Sequence, residues 1–180
     1  MAAPWQLAEV PGLEQALTLK PEMAAKLLRN AKRPLIVVGG NVLGAKGEDV
    51  DVVKFVHRLA ELTGSPVVVS PGCFRVFRER IGDVPLTCMG LEDLVNRMRD
   101  ENWQGLRGEG NHDLVVFLGG IYFFQSQLLS TLKHFASHLK TLSLDRFYQP
   151  NATFSFQTAT EDRWKKDLEK ILEELEAKTS

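Results

Sequence analysis

Pro34-Leu35-Ile36-Val37-Val38-Gly39-Gly40 is an unbroken apolar run stopped by two glycines. A strand with one wet face alternates apolar and polar residues. A run without any polar position reads instead as a strand buried on both faces, in a parallel sheet covered by helices on each side. The pattern returns at Leu114-Val115-Val116-Phe117-Leu118-Gly119-Gly120, and Val67-Val68-Val69 is a shorter case. Before the first run, Pro21 opens a helix, where its missing N–H costs nothing. Met23, Ala24, Leu27, Leu28 and Ala31 mark the apolar face of that helix. Lys32 and Arg33 suit its C-terminal dipole and Pro34 stops it. After the run, a second helix extends from about Asp49 to Leu62, with Val52, Phe55, Val56 and Leu59 inward and Gly64 and Pro66 as its stop.

Residues 70–90 read as irregular, punctuated by Pro71, Gly72, Gly82, Pro85 and Gly90. Within them, the segment Cys73 to Arg80 interleaves apolar and cationic residues. It is either a docking edge whose arginines reach a partner or an anion, or an amphipathic cover with its arginines in water. A short helix carries Leu91, Leu94, Val95 and Met98, and a glycine-rich loop, 102–113, holds Trp103. Beyond Gly120 come a helix with Leu128, Leu129, Leu132 and Phe135 on its core face and a short strand at Leu139–Leu144. Thr158-Ala159-Thr160-Glu161 resembles a capping box. It opens a last helix, 159–178, striped by Trp164, Leu168, Ile171, Leu172 and Leu175. Strands alternating with helices predict one α/β domain over residues 1–180, with an open, mainly parallel sheet flanked by helices and residues 1–17 as an N-terminal extension.

Composition narrows the function. The 180 residues carry 22 Lys+Arg against 23 Asp+Glu, a net charge of −1, so the cationic excess of a general nucleic-acid binder is missing. Weak self-repulsion also favours association with a partner. No stretch approaches 18 uninterrupted apolar residues, and Met1 to Gly12 shows no secretory pattern, so a cytoplasmic protein that does not span a membrane is expected. Cys73 and Cys88 are too few for an iron–sulfur cluster or structural zinc, which normally take four ligands. They read as free thiols in a reducing compartment, and no metal is expected on this chain.

Ligands of open α/β sheets bind beyond the carboxyl ends of the strands, where strand order reverses. Gly39-Gly40 and Gly119-Gly120 stand at two such ends. Glycine lets backbone N–H groups approach a phosphate, and a following helix N-terminus adds a favourable dipole, so the two loops form a candidate nucleotide cradle. A glycine pair also simply turns a buried strand sharply, and both readings stay open. Gly39 to Gly44 is not G-x-G-x-x-G. Gly39 and Gly44 have the spacing of P-loop glycines, but Ala45 holds the lysine position, Lys46 comes one residue late and Gly47 lacks a hydroxyl for Mg²⁺. His134 and His138, four apart on a predicted helix, lack the glutamate of H-E-x-x-H and a third ligand. They read as surface residues. His57 packs or caps within its helix, and His112-Asp113 supplies a loop-to-strand hydrogen bond. No G-x-S-x-G occurs, and Glu92-Asp93 and Glu173-Glu174 fall on solvated helix turns. The chain shows no self-evident catalytic machinery.

Several longer stretches carry a resemblance. Lys20 to Ala25, Ala31 to Gly40, Trp103 to Leu106 and Asp113 to Gly119 are similar to the epsilon subunit family of the archaeal acetyl-CoA decarbonylase/synthase complex, within its carbon monoxide dehydrogenase component. The likeness is strongest in Gln127 to Phe135, Lys140 to Tyr148 and Gln149 to Ala152, and spans roughly residues 18–157. It implies a fold like the NAD/FAD-binding domains of the deoxyhypusine-synthase type. It also implies a partner, the alpha subunit of CO dehydrogenase, whose nickel–iron–sulfur centre oxidises CO, in an alpha2-epsilon2 assembly. The epsilon role so implied is to stabilise that subunit or to pass electrons to a flavin. By analogy with the fold, FAD would lie over Gly39, Gly40 and Asn41, with Gly119 and Gly120 opposite and Asp145 accepting a hydrogen bond from a ribose hydroxyl. The alternative is a free-standing nucleotide-dependent enzyme of the same fold, such as an NAD-consuming deacylase. That class often carries a four-cysteine zinc site, which two cysteines do not supply.

Overall fold

The computed structural model describes residues 14–43 and 50–177. Residues 1–13, the stretch Gly44 to Gly47, the predicted helix start at Asp49, and Lys178 lie outside the described residues.

Within the described residues, seven parallel strands form one sheet in the order β1-β7-β6-β5-β2-β3-β4. The strands are β1 (Leu17–Thr18), β2 (Pro34–Val38), β3 (Val67–Val69), β4 (Leu86–Cys88), β5 (Leu114–Leu118), β6 (Lys140–Ser143) and β7 (Phe154–Ser155). Among the described residues six α-helices flank them: α1 (Pro21–Asn30), α2 (Val50–Thr63), α3 (Pro71–Arg80), α4 (Leu91–Met98), α5 (Tyr122–Phe135) and α6 (Glu161–Glu176). Every residue of β2, β3 and β5 is buried, as their all-apolar composition requires.

Alternation along β2 divides the core into two. Ile36 and Val38 face Leu28 of α1, Val56 and Leu59 of α2, Phe77 of α3 and Ile171 of α6. Leu35 and Val37 face the other side, against Leu94 and Met98 of α4 and Leu129 and Leu132 of α5. The result is a helix–sheet–helix sandwich, the layering that hides a parallel sheet from water. No helix among the described residues is long and apolar enough to cross a membrane.

Residues 70–90 are more regular than the sequence suggests. Pro71 and Gly72 are the first two residues of α3, since proline is at home in a first helical turn. Cys73 and Phe77, four apart, bury one face of α3, while Arg75 is exposed and paired with Glu79 at 3.3 Å. The amphipathic-cover reading of this segment therefore holds for its packing. Strand β4 follows, too short and too mixed in polarity to show in the sequence.

The edge strand β1 and its neighbour β7, two residues each, were equally invisible. They are held by the Leu17 N–H donating to Thr153 O at 3.0 Å and the Leu19 N–H to Ser155 O at 3.0 Å. Two apolar residues assigned inward face water. Met23 is exposed while Ala24, Ala25 and Leu28 pack, and Phe135 is 63% exposed beneath the Arg99 guanidinium, 5.3 Å from its ring. The capping box is absent as well. Thr160 is the N-cap of α6 and makes no side-chain cap, and the Thr158 hydroxyl instead accepts the Tyr148 N–H.

Candidate functional site

Strand order reverses between β2 and β5, the two strands that end in glycine pairs. Val38 and Leu118 are register partners, so Gly39-Gly40 and Gly119-Gly120 emerge side by side at the carboxyl edge. The loops are knitted together: the Gly39 N–H donates to Leu118 O at 2.9 Å and the Asn41 N–H to Gly119 O at 2.9 Å. A Cβ on Gly39 would stand 2.5 Å from Gly119 O. Gly119 adopts φ +70°, and a Cβ there would come within 2.6 Å of the Val42 side chain. A Cβ on Gly120 would overlap Gln125. Gly39 and Gly119 are therefore demanded by loop-on-loop packing, and Gly120 by the Gln125 side chain of α5. Gly40 differs. It is exposed, and its nearest neighbour to an added Cβ is Ser70 Oγ at 3.7 Å, an ordinary contact.

Asp145, just past β6, anchors the second loop. Its Oδ1 accepts the Gly119 N–H at 2.6 Å. Its Oδ2 accepts the Ser143 hydroxyl at 3.0 Å and the Gln125 amide in a short contact. Gln125 Oε1 in turn accepts the Gly120 N–H at 3.1 Å, which fixes the orientation of that amide. Burial pushes the Asp145 carboxyl above its ordinary range, against the opposing pull of these three donors. The N–H groups of Gly39, Asn41, Gly119 and Gly120 are thus all engaged within the protein.

Over these loops lies a cleft of about 710 Å³. Gly40, Asn41, Gly119, Gly120 and Asp145 line it, and Gly39 is buried beneath. The far wall holds residues that the sequence analysis did not assign to a site: Tyr122, Arg146, Phe147, Gln149, Glu161 and Trp164. Their signal was positional, since Arg146 to Gln149 follow β6, next to β5 at the same carboxyl edge. The Arg146 guanidinium lies 4.5 Å from the centre of the Phe147 ring and 3.7 Å from the Glu161 carboxylate. The Trp164 indole N–H donates to Leu144 O at 2.7 Å, fixing the start of α6 to the end of β6. Gln149 is 1% exposed; its amide N–H donates to Tyr122 O at 3.3 Å, and its Oε1 has no partner. A larger hollow of about 970 Å³ lies beyond β1 and β7, ringed by charges of both signs such as Lys20, Glu22, Lys166 and Asp167, away from the strand reversal.

The other candidates separate. His134 sits in the last turn of α5, 3.6 Å from Glu14, whereas His138 lies past the helix end and meets the Asn111 amide at 2.9 Å. They do not form one helical clamp. Among the described residues, no group of three or more His, Cys, Asp or Glu is placed to hold a metal ion. His57 pairs with Glu61 at 3.6 Å within α2. Asp113 accepts the Lys32 and Arg33 N–H groups at 2.7 and 2.8 Å, the loop-to-strand tie expected there. Cys73 is buried, which pushes its thiol up, and Cys88 is exposed; both are free.

A doubly wound parallel sheet, with glycine loops at the strand reversal and a cleft above them, defines an α/β domain of the open, helix-flanked parallel-sheet class. Within that class, the chain belongs to the family described as CO dehydrogenase beta subunit/acetyl-CoA synthase epsilon subunit, which it matches over residues 1–174. It is 38% identical over 171 residues to the acetyl-CoA decarbonylase/synthase complex subunit epsilon of Methanothermobacter thermautotrophicus, covering 95% of each chain. It is also 38% identical over 160 residues to subunit epsilon 1 of Archaeoglobus fulgidus, covering 88% of this chain and 83% of that one. Subunit epsilon of Methanothrix soehngenii is 36% identical over 155 residues, 85% of this chain and 79% of the relative.

Proposed function

We propose that this chain is the epsilon-type accessory subunit of an acetyl-CoA decarbonylase/synthase complex. In this reading it works in the cytoplasm, braces the nickel–iron–sulfur alpha subunit in an alpha2-epsilon2 assembly, and holds FAD in its cleft. The observation that carries the reading is near-full-length similarity to chains named as epsilon subunits.

The cleft fits a nucleotide in part. Its volume is in the range of small-molecule sites. Gly40 leaves one wall open, Tyr122, Phe147 and Trp164 line the cleft, and the Gln149 acceptor is unsatisfied. Gly39, Gly119, Gly120 and Asp145 act instead by shaping the floor, because their polar groups are already bonded. When bound, a flavin supplies reversible electron acceptance; this chain's residues contribute its seat. A free-standing NAD-dependent hydrolase is less well supported. Asp145 is saturated by three donors, and Glu161 is shared between Arg146 and Lys165 at 3.1 Å, which leaves neither as an idle base.

Tagged chain, co-expressed with the large nickel–iron–sulfur subunit, should purify with it in equal amount. FAD titrated into that complex should bind saturably, and Gly40→Val should abolish binding without dissociating the subunits. A chain that stays apart from the large subunit overturns the accessory role. A complex with no FAD affinity removes the flavin and leaves a scaffold.

A further inference from the structure

Four backbone N–H groups around the glycine pairs are consumed by Leu118 O, Gly119 O, Asp145 and Gln125, so the loops do not form the phosphate cradle that their composition suggests. The cationic group of the cleft stands elsewhere, in the loop after β6. Tyr122 and Glu161 are the first residues of α5 and α6, and neither helix has a side-chain cap from Ile121 or Thr160. Both positive helix ends therefore face the same space. Arg146 stands in that wall, its guanidinium braced on the Phe147 ring. Two carboxyl groups share the cleft with it: Asp145, whose oxygens are taken up by Gly119, Gln125 and Ser143, and Glu161, 3.7 Å from the guanidinium in a partly exposed pair of little strength. Gln149 adds a buried acceptor with no partner, a deficit that a ligand hydroxyl or amine removes.

We propose that Arg146 is the phosphate-binding residue of this cleft, exchanging Glu161 for the diphosphate of a nucleotide whose hydroxyl or amino donor satisfies Gln149. The proposal rests on the reading that the cleft takes a nucleotide, and it moves anion recognition from the glycine loops to the loop after β6. Arginine suits the task because its planar fork bonds two phosphate oxygens at once and stays stacked while doing so.

ADP and adenosine separate the phosphate from the rest of the ligand. Both are titrated calorimetrically into the full chain, alone and in complex with its large subunit. Wild type should bind ADP about 10- to 100-fold more tightly than adenosine, the range of a charged hydrogen-bonded contact. Arg146→Met should bring ADP down to the adenosine affinity and leave adenosine unchanged. Arg146→Lys should recover part of the difference, and added salt should weaken ADP binding to wild type but not to Arg146→Met. Equal wild-type affinities for the two ligands, or a preference for ADP that survives Arg146→Met, overturn the role of Arg146 and leave the nucleotide reading standing. Parallel loss of both ligands in Arg146→Met shows a structural effect and also overturns it. Binding of neither ligand to wild type overturns both readings together.

Discussion

Gly39 and Gly119 meet backbone to backbone: a Cβ on Gly39 would lie 2.5 Å from the Gly119 carbonyl oxygen, inside any tolerable contact. Backbone does not swing aside as a flexible side chain would. Gly39→Ala is therefore expected to cost about 1–3 kcal/mol, the range for overpacking, with Gly119→Ala at least as costly because φ +70° adds strain. Gly40→Ala, with open space around it, should stay within about 0.5 kcal/mol of wild type. Urea denaturation of the three variants checks this ordering. A Gly39→Ala chain as stable as Gly40→Ala would show that the loops do not pack as described.

How much of this was legible beforehand follows from the same residues. The all-apolar strands β2, β3 and β5 announce themselves because burial on both faces leaves no polar position. The switch-point loops were found for the same reason, as glycines at the ends of those strands. What the glycines are for was not legible: close approach between loops distant in sequence leaves no local pattern, and phosphate binding and loop packing ask for the same residue. Strands β1, β4 and β7 have too few residues to show a period. Arg146 and Gln149 became visible only when topology placed the end of β6 beside that of β5.

Asp145 and Gln125 tie both glycine N–H groups of the second loop into one network. Asp145→Asn keeps the shape but turns one acceptor into a donor. If the new amide keeps its oxygen on the Gly119 N–H, its NH₂ group faces the Gln125 amide and the Ser143 hydroxyl. Gln125 cannot flip without losing the Gly120 N–H. A loss of about 1–3 kcal/mol is expected, the cost of stranding a buried polar group. Gln125→Glu should be at least as harmful, since it sets two carboxyl groups together. Thermal unfolding of each variant measures the effect; an unchanged midpoint for Asp145→Asn would show the network to be dispensable.

His112 makes stability fall in acid. It is 2% exposed, its Nδ1 lies 3.1 Å from Arg33 O, and its Nε2 has no partner beside the Trp103 ring. Nδ1 therefore carries the proton and donates, and a second proton on Nε2 would place an uncompensated charge indoors. Burial holds the imidazole below its ordinary range, with Arg33 acting in the same direction and the Arg33 carbonyl, Glu109 and Asp113 opposing. A lowered folded pKa means that the unfolded chain takes up the proton first as pH drops below about 6.5. The contribution is complete above that value and is lost toward the folded pKa, by at most about 1.4 kcal/mol per pH unit. His112→Asn, which retains a donor for Arg33 O, should flatten this part of the curve. Urea midpoints at pH 7.5 and 5.5 decide it, and an identical acid loss in both proteins would assign the effect to other groups.

Tyr148 secures the edge of the sheet through a single hydroxyl. Its oxygen accepts the Ala16 N–H at 2.7 Å and its proton goes to Ala16 O at 3.0 Å. Both backbone groups of the residue before β1 therefore depend on it. Strand β1 itself has only two residues, and Leu17 is largely exposed, so little apolar burial replaces the bond. Tyr148→Phe is expected to cost about 1–2 kcal/mol locally rather than globally. Amide hydrogen exchange at Leu17 and Leu19, whose N–H groups pair with β7, should accelerate about 5- to 30-fold while β2 and β5 remain protected. Uniform acceleration across the sheet would mean that the tyrosine supports the whole fold. No acceleration at Leu17 would mean that pairing with β7 alone holds the strand.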